Sequence, residues 1–214
     1  MKYRKLVENA KKPNGFWGKM MIKAMNKGHS SLTSWGLEHM NIERTATVLD
    51  IGCGGGKTVD RLCSIVANGK VYGIDYSELS VKSSEKLNSK IYSATKRKFF
   101  RHPYPICPFD DNTFDNITAV ETYYFWPDKE NDVKEVFRVL KQGGTVMLLF
   151  EMLRTDDDPF KWEKVENMLN IKSVTPQEIR AVLESAGFEN INTYTKEGTT
   201  WLCATAQKPK DDEN

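Results

Sequence analysis

The sequence has few cysteines, few histidines and no long apolar run, and each shortage argues against a class of protein. It contains four cysteines and three histidines in 214 residues. No two cysteines form a C-x-x-C pair, so neither a disulfide framework nor a zinc site is expected. The longest apolar run, Val146–Phe150, is far shorter than the roughly 20 residues of a membrane-spanning helix. The net charge of only +2 disfavours a dedicated nucleic-acid binder.

The beginning of the chain also lacks the apolar region of a secretory signal, because MKYRKLVENAKKPN is mostly polar and charged. With the scattered cysteines, this predicts reduced thiols in a cytoplasmic protein without integral membrane association. The length fits one domain of ordinary size. We expect this domain over residues 45–207, after an N-terminal helical lid segment over 1–44 and before a frayed tail over 208–214. The oligomeric state stays open.

Short apolar runs alternate with helical patterns along the middle of the chain. Thr47–Ile51 and Val71–Ile74 are typical of buried strands, and apolar residues at helical spacing lie between them. Apolar residues from Val133 to Leu140 predict a helix that Gly143 and Gly144 end, before a strand over Thr145–Phe150. This alternation implies a parallel sheet with helices on both faces.

The last two predicted strands differ from the others. Phe188–Thr195 and Thr200–Gln207 are separated by only four residues, which include Gly198. A parallel pair needs a crossover of about a dozen residues or more, so these strands form an antiparallel hairpin. The predicted fold class is therefore α/β: a doubly wound, mostly parallel sheet with a C-terminal antiparallel hairpin.

A glycine-dense turn follows the first strand in VLDIGCGGGKT. Glycines there allow a sharp bend and the close approach of a ligand, and the helix beginning near Lys57 favours an anion. A phosphate-binding P-loop would need a glycine where Ile51 stands, and a dinucleotide fingerprint would need one in place of Lys57. A tight turn without a ligand is the remaining alternative.

Asp75 ends the second predicted strand, 23 positions after Gly52. A carboxylate at this point can accept both hydroxyl groups of a ribose. The alternative is a helix N-cap, a role for which Ser77 is equally suited. The glycine turn and the acid together indicate a nucleoside-containing ligand more strongly than either does alone.

These two motifs, VLDIGCGGG and VYGIDYS, resemble the first motifs of class I S-adenosylmethionine-dependent methyltransferases. PFDDNTFD at Pro108–Asp115 and RVLKQGG at Arg138–Gly144 resemble signatures of the type-11 methyltransferase domain, which includes ubiquinone and menaquinone biosynthesis enzymes. The resemblance covers roughly Thr45 to Gln207. It implies a Rossmann-like, seven-stranded sheet, S-adenosyl-L-methionine as cofactor, and methyl transfer by in-line displacement to a small-molecule acceptor that the sequence does not identify.

The resemblance also implies which residues hold the cofactor. The backbone of the glycine turn would surround the methionine part, Asp75 would hold the ribose with Tyr76 against the adenine, and Asp50 would support the turn. The end of the fourth strand would lie beside the transferable methyl group. The implied contacts are Asp50, Gly52, Cys53, Gly54, Gly56, Asp75, Tyr76, Val120 and Glu121.

One segment departs from the family pattern. Lys96–Cys107 is basic and proline-rich, and Pro103 stands near the place where the family has an acid that reads the adenine. A strand there is expected to be short and at a sheet edge. The adenine contact is therefore left unassigned, and a non-catalytic or regulatory protein that binds S-adenosylmethionine is the alternative function.

Candidate acceptor residues follow the fourth strand, where ligands of open α/β sheets bind. Tyr123, Tyr124 and Trp126 could line an acceptor pocket, although the aromatic residues here could equally pack against the next helix. Phe16–Met25 has apolar residues at helical spacing and predicts the lid, with a membrane-surface helix as the alternative. His29 adjoins it and is the candidate catalytic base, and no metal site is predicted.

Overall fold

The computed structural model describes residues 7–89, 96–101 and 109–210. Its helices and strands alternate along most of the chain, as the sequence predicts. The helices are α1 (Gly15–Gly28), α2 (Ser30–Leu37), α3 (Lys57–Ile65), α4 (Glu78–Asn88), α5 (Lys129–Val139), α6 (Glu163–Leu169) and α7 (Pro176–Ser185), with a 3-10 turn at Tyr123–Phe125. The strands are β1 (Thr47–Ile51), β2 (Lys70–Asp75), β3 (Lys96–Arg101), β4 (Phe114–Val120), β5 (Leu140–Phe150), β6 (Glu189–Thr195) and β7 (Leu202–Gln207).

The seven strands form one sheet in the order β3-β2-β1-β4-β5-β7-β6. The first five strands pair in parallel, and β7 lies antiparallel to both β5 and β6. This confirms the predicted fold class, including the terminal hairpin. The order reverses at β1, so the crevice beyond the carboxyl ends of β1 and β4 is where ligands of such sheets bind.

The central strands are buried on both faces of the sheet. Leu148 and Phe150 of β5 pack into one apolar cluster, and Met147 and Leu149 pack into another beneath α2. Helix α2 lies so close to the sheet that a methyl group on Gly36 would meet the Leu149 side chain at 2.6 Å. Helix α2 is therefore packed directly against the sheet.

Two local predictions differ from the structure, and a third lies partly outside the described residues. Helix α5 ends at Val139, and β5 begins at Leu140 and runs through Gly143 and Gly144. The β4–β5 register shifts across this stretch, Gly143 has a φ of 71°, and its amide donates to the Lys208 carbonyl, so the two glycines form an irregular part of the strand and do not end it. Strand β3 is the edge strand that the basic segment predicts, but residues 102–107 of that segment lie outside the described residues. Lys208 of the predicted tail is buried, and its ammonium group donates to the carbonyl groups of Phe137 and Leu140.

Within the described ranges, no helix combines the length and the apolar character needed to cross a bilayer.

Candidate functional site

A cavity opens at the carboxyl ends of β1, β2 and β4, under α1 and the segment that precedes it. The glycine turn forms one wall, and the start of α3 continues that wall. The last residues of β2 and β4 form a second wall, and α1 and α2 cover the top. The lining residues are Ala10, Lys11, Pro13, Met25, Asn26, His29, Ser30, Thr33, Gly52, Cys53, Gly54, Gly55, Lys57, Thr58, Arg61, Asp75, Tyr76, Ser80, Val120, Glu121, Thr122 and Phe125.

The glycine turn depends on backbone conformations that favour glycine. Gly52, Gly54 and Gly56 have φ values of 73°, 51° and 81°, in the left-handed region where a Cβ is strained. The amides of Gly52 and Cys53 both donate to the Ile74 carbonyl, at 2.8 and 3.0 Å. The end of β2 therefore fixes the position of the turn.

The glycines of this turn have different surroundings. A methyl group on Gly54 would meet nothing closer than the Gly52 carbonyl oxygen, at 3.8 Å, so this residue presents bare backbone to the cavity. A methyl group on Gly55 would lie 2.4 Å from the Asn26 side chain, and one on Gly56 would lie 2.2 Å from the Ser84 hydroxyl. Gly55 and Gly56 thus permit packing against α1 and α4, whereas Gly54 leaves room for a ligand.

Asp75 connects the two predicted motifs directly. Its Oδ2 accepts from the Gly54 amide at 3.0 Å, and its Oδ1 accepts from the Ser77 amide at 2.8 Å. Burial raises the pKa of this carboxyl, while the two amides partly oppose that effect. Each carboxylate oxygen has a second lone pair, so Asp75 can still accept from a bound hydroxyl group. Ser77, not Asp75, caps α4 by accepting from the Ser80 amide.

Asp50 lies behind the turn and not on the cavity wall. It is 1% exposed and accepts from the Thr118 hydroxyl at 2.7 Å, across the pairing of β1 with β4. Burial raises the pKa of Asp50 to about 7, and the Thr118 hydrogen bond partly opposes this. The geometry agrees with a supporting role and gives Asp50 no direct contact with the cavity.

Tyr76 is held by the chain segment before α1. Its hydroxyl donates to the Lys11 carbonyl, and the Lys12 ammonium lies 5.6 Å from the centre of its ring. The Ser77 hydroxyl donates to the Pro13 carbonyl at 2.8 Å. Residues before α1 therefore cover the side of the cavity at which the resemblance places the adenine.

Glu121 follows β4 in a left-handed conformation, with φ 57°. Its Oε1 accepts from the Glu151 amide and, at 3.3 Å, from the Tyr124 hydroxyl. Burial, and secondarily the nearby Glu151 carboxylate, raise the pKa of Glu121 to about 8, although the hydrogen bonds from the Glu151 amide and the Tyr124 hydroxyl partly oppose this. A carboxyl with a raised pKa beside a cavity is typical of a functional site.

His29 joins this acidic group from above, at the junction of α1 and α2. Its Nε2 lies 3.6 Å from Glu151 Oε2. Burial lowers the pKa of His29, and the nearby Glu151 carboxylate partly opposes this. One ligand atom each from His29, Glu121 and Glu151 lie within 4.8 Å of one another, the only such trio in the described ranges that could hold a metal ion. The same geometry suits a histidine base oriented by a carboxylate.

The structure brings most of the predicted cofactor residues together. Gly52, Cys53, Gly54, Asp75, Tyr76, Val120 and Glu121 all line the one cavity, and so does His29. Two predicted contacts, Asp50 and Gly56, lie behind that wall. The roles of these residues remain predictions.

The predicted acceptor residues have a different location. Tyr123, Tyr124 and Trp126 are each 4% exposed and belong to the apolar core, so none of them lines the cavity. The cause is the 3-10 turn after β4, which directs their rings towards Phe150 and its neighbours. Phe125 is the aromatic residue of this run that reaches the cavity.

Sequence reasoning missed several cavity residues. Lys57, Thr58 and Arg61 lie in the first two turns of α3, and Arg61 donates to the Ser30 hydroxyl at 2.7 Å. The sequence does carry a signal for these α3 residues, since a helix directly after the glycine turn must point its first turn at the ligand. Residues such as Asn26, which reaches the Gly55 carbonyl at 3.3 Å, could not be found without the packing of α1.

The cavity fits S-adenosylmethionine in two respects that the structure shows. The open face of Gly54 allows a close approach that any side chain would obstruct. Asp75 is 6% exposed and retains lone pairs for a ribose. These features match the chemistry of an adenosyl group linked to an amino acid.

Comparisons with known proteins agree with this geometry. Residues 49–148 match the family described as a methyltransferase domain. Over 184 residues the chain is 27% identical to the uncharacterised methyltransferase YdaC of Bacillus subtilis, covering 85% of this chain and 93% of that protein. It is 32% identical over 117 residues to a sterol 24-C-methyltransferase of Aspergillus fumigatus, and 32% identical over 120 residues to a demethylmenaquinone methyltransferase of Anoxybacillus flavithermus. These matches cover 55% and 53% of this chain, and 30% and 48% of the two relatives.

Solved structures show the same fold. An S-adenosylmethionine-dependent methyltransferase from Aquifex aeolicus superposes with a TM-score of 0.67 at 21% identity, covering 87% of this chain and 96% of that one. Human N-acetylserotonin methyltransferase, in complex with S-adenosylmethionine, superposes with a TM-score of 0.70 at 17% identity, covering 88% of this chain and 55% of that one.

Proposed function

We propose that this chain, an S-adenosylmethionine-dependent methyltransferase by its domain match, its relatives and its fold, methylates a small molecule held in the cavity under α1. One observation carries the proposal: a single cavity is lined by the glycine turn, by Asp75 and by the end of β4. Segment 1–44 acts as the lid of this cavity, and residues 45–207 form the domain that binds the cofactor.

The residues of the cavity divide into two groups. Gly52 and Gly54 would hold the methionine part through bare backbone, and Asp75 would hold the ribose beside the Tyr76 ring. The bound cofactor supplies a methyl group on a positively charged sulfur that is already activated for transfer. The protein therefore contributes mainly alignment, which can lower a barrier by roughly 7–11 kcal/mol.

His29 is the proposed proton acceptor for an acceptor hydroxyl or ammonium group. Because burial lowers its pKa, the ring is neutral at physiological pH. One ring nitrogen then faces Glu151, and the other is free to take a proton. Glu121, which accepts from the Glu151 amide, would keep this end of the cavity polar.

The relatives suggest an acceptor with an apolar body, since two of them are named for sterol and demethylmenaquinone substrates. Met25, Val120 and Phe125 supply apolar cavity surface beside Glu121, which suits such a body next to a polar reacting group. Cys53 and Cys203 are buried and form no disulfide, which supports the proposed cytoplasmic location.

The test is transfer of a labelled methyl group from S-adenosylmethionine to a panel of quinols, sterols and phenols and to a metabolite extract. The labelled product is identified by its mass. We expect Asp75→Ala to abolish transfer and S-adenosylhomocysteine binding, while the control Asp156→Ala, in an exposed loop, retains both. Tight cofactor binding with no labelled product would contradict the small-molecule acceptor, and equal binding by Asp75→Ala would remove Asp75 from the site.

His29→Asn tests the base separately. We expect it to lower the turnover of hydroxyl acceptors on the order of 10²–10⁴-fold, as for other general bases, with cofactor affinity unchanged. The pH profile of kcat should then lack the rise that accompanies deprotonation of His29 in the wild type. An unchanged profile would show that His29 is only a wall residue.

A further inference from the structure

The first 28 residues carry a positive charge that the rest of the chain does not share. They contain eight Lys or Arg residues and one acidic residue, Glu8, which gives this segment a net charge of +7. The whole chain has a net charge of +2, so residues 29–214 are net negative by five. The small overall charge therefore hides a strongly basic N-terminal segment.

Helix α1 concentrates part of this charge on one face. With 100° between successive residues, Phe16, Lys19, Met20, Lys23 and Lys27 fall within an arc of about 100°. We call this set the basic face of α1. All five residues are exposed, and no described ion pair involves the three lysines.

The basic face also exposes apolar side chains. Phe16 is 69% exposed and Met20 is 44% exposed. The described residues contain only four large apolar side chains that are this exposed, and the other two, Leu87 and Phe160, are not on α1. Phe16 and Met20 lie one helical turn apart on the same exposed face as the three lysines, so this face offers both apolar surface and positive charge to a membrane interface.

The opposite face of α1 is already occupied by the domain. Gly18 and Ile22 are buried, and Ile22 and Asn26 lie against Gly55 of the glycine turn. Met25 and Asn26 line the cavity. The inward face thus fixes the helix on the domain, and the outward basic face is left available for a second surface.

We propose that the basic face of α1 docks on a membrane surface of anionic phospholipids. The lysines would meet the lipid phosphates, and Phe16 and Met20 would enter the boundary between headgroups and acyl chains. Charge complementarity selects anionic over zwitterionic lipid. Apolar side chains within the basic patch favour a lipid surface over a nucleic acid, whose backbone would be contacted by the lysines alone.

This arrangement has a consequence for the cavity. Because the last part of α1 contributes Lys23 and Lys27 to the basic face and Met25 and Asn26 to the cavity wall, docking would place the cavity beside the lipid surface. An acceptor dissolved in the membrane could then reach the site without crossing bulk water. This consequence rests on the proposed function, whereas the docking itself does not.

The experiment is co-sedimentation of the full chain with vesicles. Phosphatidylcholine mixed with phosphatidylglycerol is compared with phosphatidylcholine alone, at low and at high salt. We expect binding only to the anionic vesicles, and weaker binding at high salt because the attraction is screened. Replacing Lys19, Lys23 and Lys27 with Gln should weaken binding by about fivefold per lysine, on the order of a hundredfold together.

Two further variants sharpen the test. Phe16→Ser with Met20→Ser keeps every charge and should also release the protein. The control replaces Lys134, Lys164 and Lys172 with Gln, which removes the same charge from other exposed positions and should leave binding intact. S-adenosylhomocysteine binding by each variant verifies folding, so a failure of docking is distinguishable from a failure of the proposed function.

Three results would overturn the proposal. The first is no binding of the wild-type chain to anionic vesicles. The second is an equal loss in the control variant, which would indicate diffuse charge. The third is binding of a short RNA that competes with the vesicles and survives the Phe16→Ser and Met20→Ser changes, which would make the segment a nucleic-acid contact.

Discussion

Gly54→Ala should separate ligand binding from folding at the glycine turn. The added methyl group would meet no protein atom nearer than 3.8 Å, so it causes no clash in the protein itself. Gly54 has a φ of 51°, however, and an alanine there costs about 1–2 kcal/mol. For a chain of this length, each kcal/mol lowers Tm by about 2–4 °C, so we expect a modest fall and a folded protein.

The same methyl group would project into the space proposed for the cofactor. Excess volume in a packed contact costs about 1–3 kcal/mol, which is a loss of roughly 5- to 150-fold in affinity. Calorimetric titration with S-adenosylhomocysteine measures this loss directly. The wild-type affinity sets the scale, and thermal unfolding of the same sample gives the stability change.

Gly198→Ala is the matched control for this variant. Gly198 has a φ of 71°, and an added methyl group there would meet nothing within 4 Å. It lies in the exposed turn of the β6–β7 hairpin and does not line the cavity. We expect the same fall in Tm with unchanged affinity. If Gly54→Ala binds S-adenosylhomocysteine like the wild type, the ligand does not approach this backbone, and our account of the turn is refuted.

Two predictions concern stability. Burial raises the pKa of Asp50 to about 7, whereas the same carboxyl in the unfolded chain has a pKa of about 4. The free energy of unfolding is therefore highest below pH about 4 and falls as the pH rises towards 7, because the unfolded chain then loses its proton more readily than the folded one. Asp50→Asn should therefore increase the free energy of unfolding at pH 7.5 by up to about 4 kcal/mol and leave it nearly unchanged at pH about 4. Urea unfolding at the two pH values measures this difference. An equal change at both pH values would refute the prediction. Thr175 and Glu178 form a capping box at the start of α7. Thr175→Ala should therefore lower the free energy of unfolding by about 1 kcal/mol without altering S-adenosylhomocysteine binding. A loss of binding would contradict the separation of α7 from the cavity.

The parts of the fold that sequence reasoning predicted correctly are those set by local patterns. The glycine turn, the hairpin around Gly198 and the capping box at Thr175 each depend on residues close together in the chain. The end of α5 was misplaced because Gly143 and Gly144 are stop signals only for an isolated helix. In the folded chain both glycines lie within β5, and a methyl group on Gly144 would lie 3.0 Å from the Asp115 carbonyl oxygen of β4, so Gly144 permits close packing of β5 on β4.

In the candidate site, too, local sequence patterns did not predict how the residues after β4 pack. Position alone predicted that this run lies at the cavity mouth, and Glu121 and Phe125 do lie there. It could not predict the left-handed Glu121, which turns the chain and sends Tyr124 inward, where the Tyr124 hydroxyl accepts from the Met152 amide at 3.0 Å. Tyr124 therefore links Glu121 to the chain after β5, and it contributes to the site by positioning that carboxyl and not by contacting an acceptor. Replacing Tyr124 with Phe would consequently affect Glu121 first, and any change in acceptor choice would follow from that displacement.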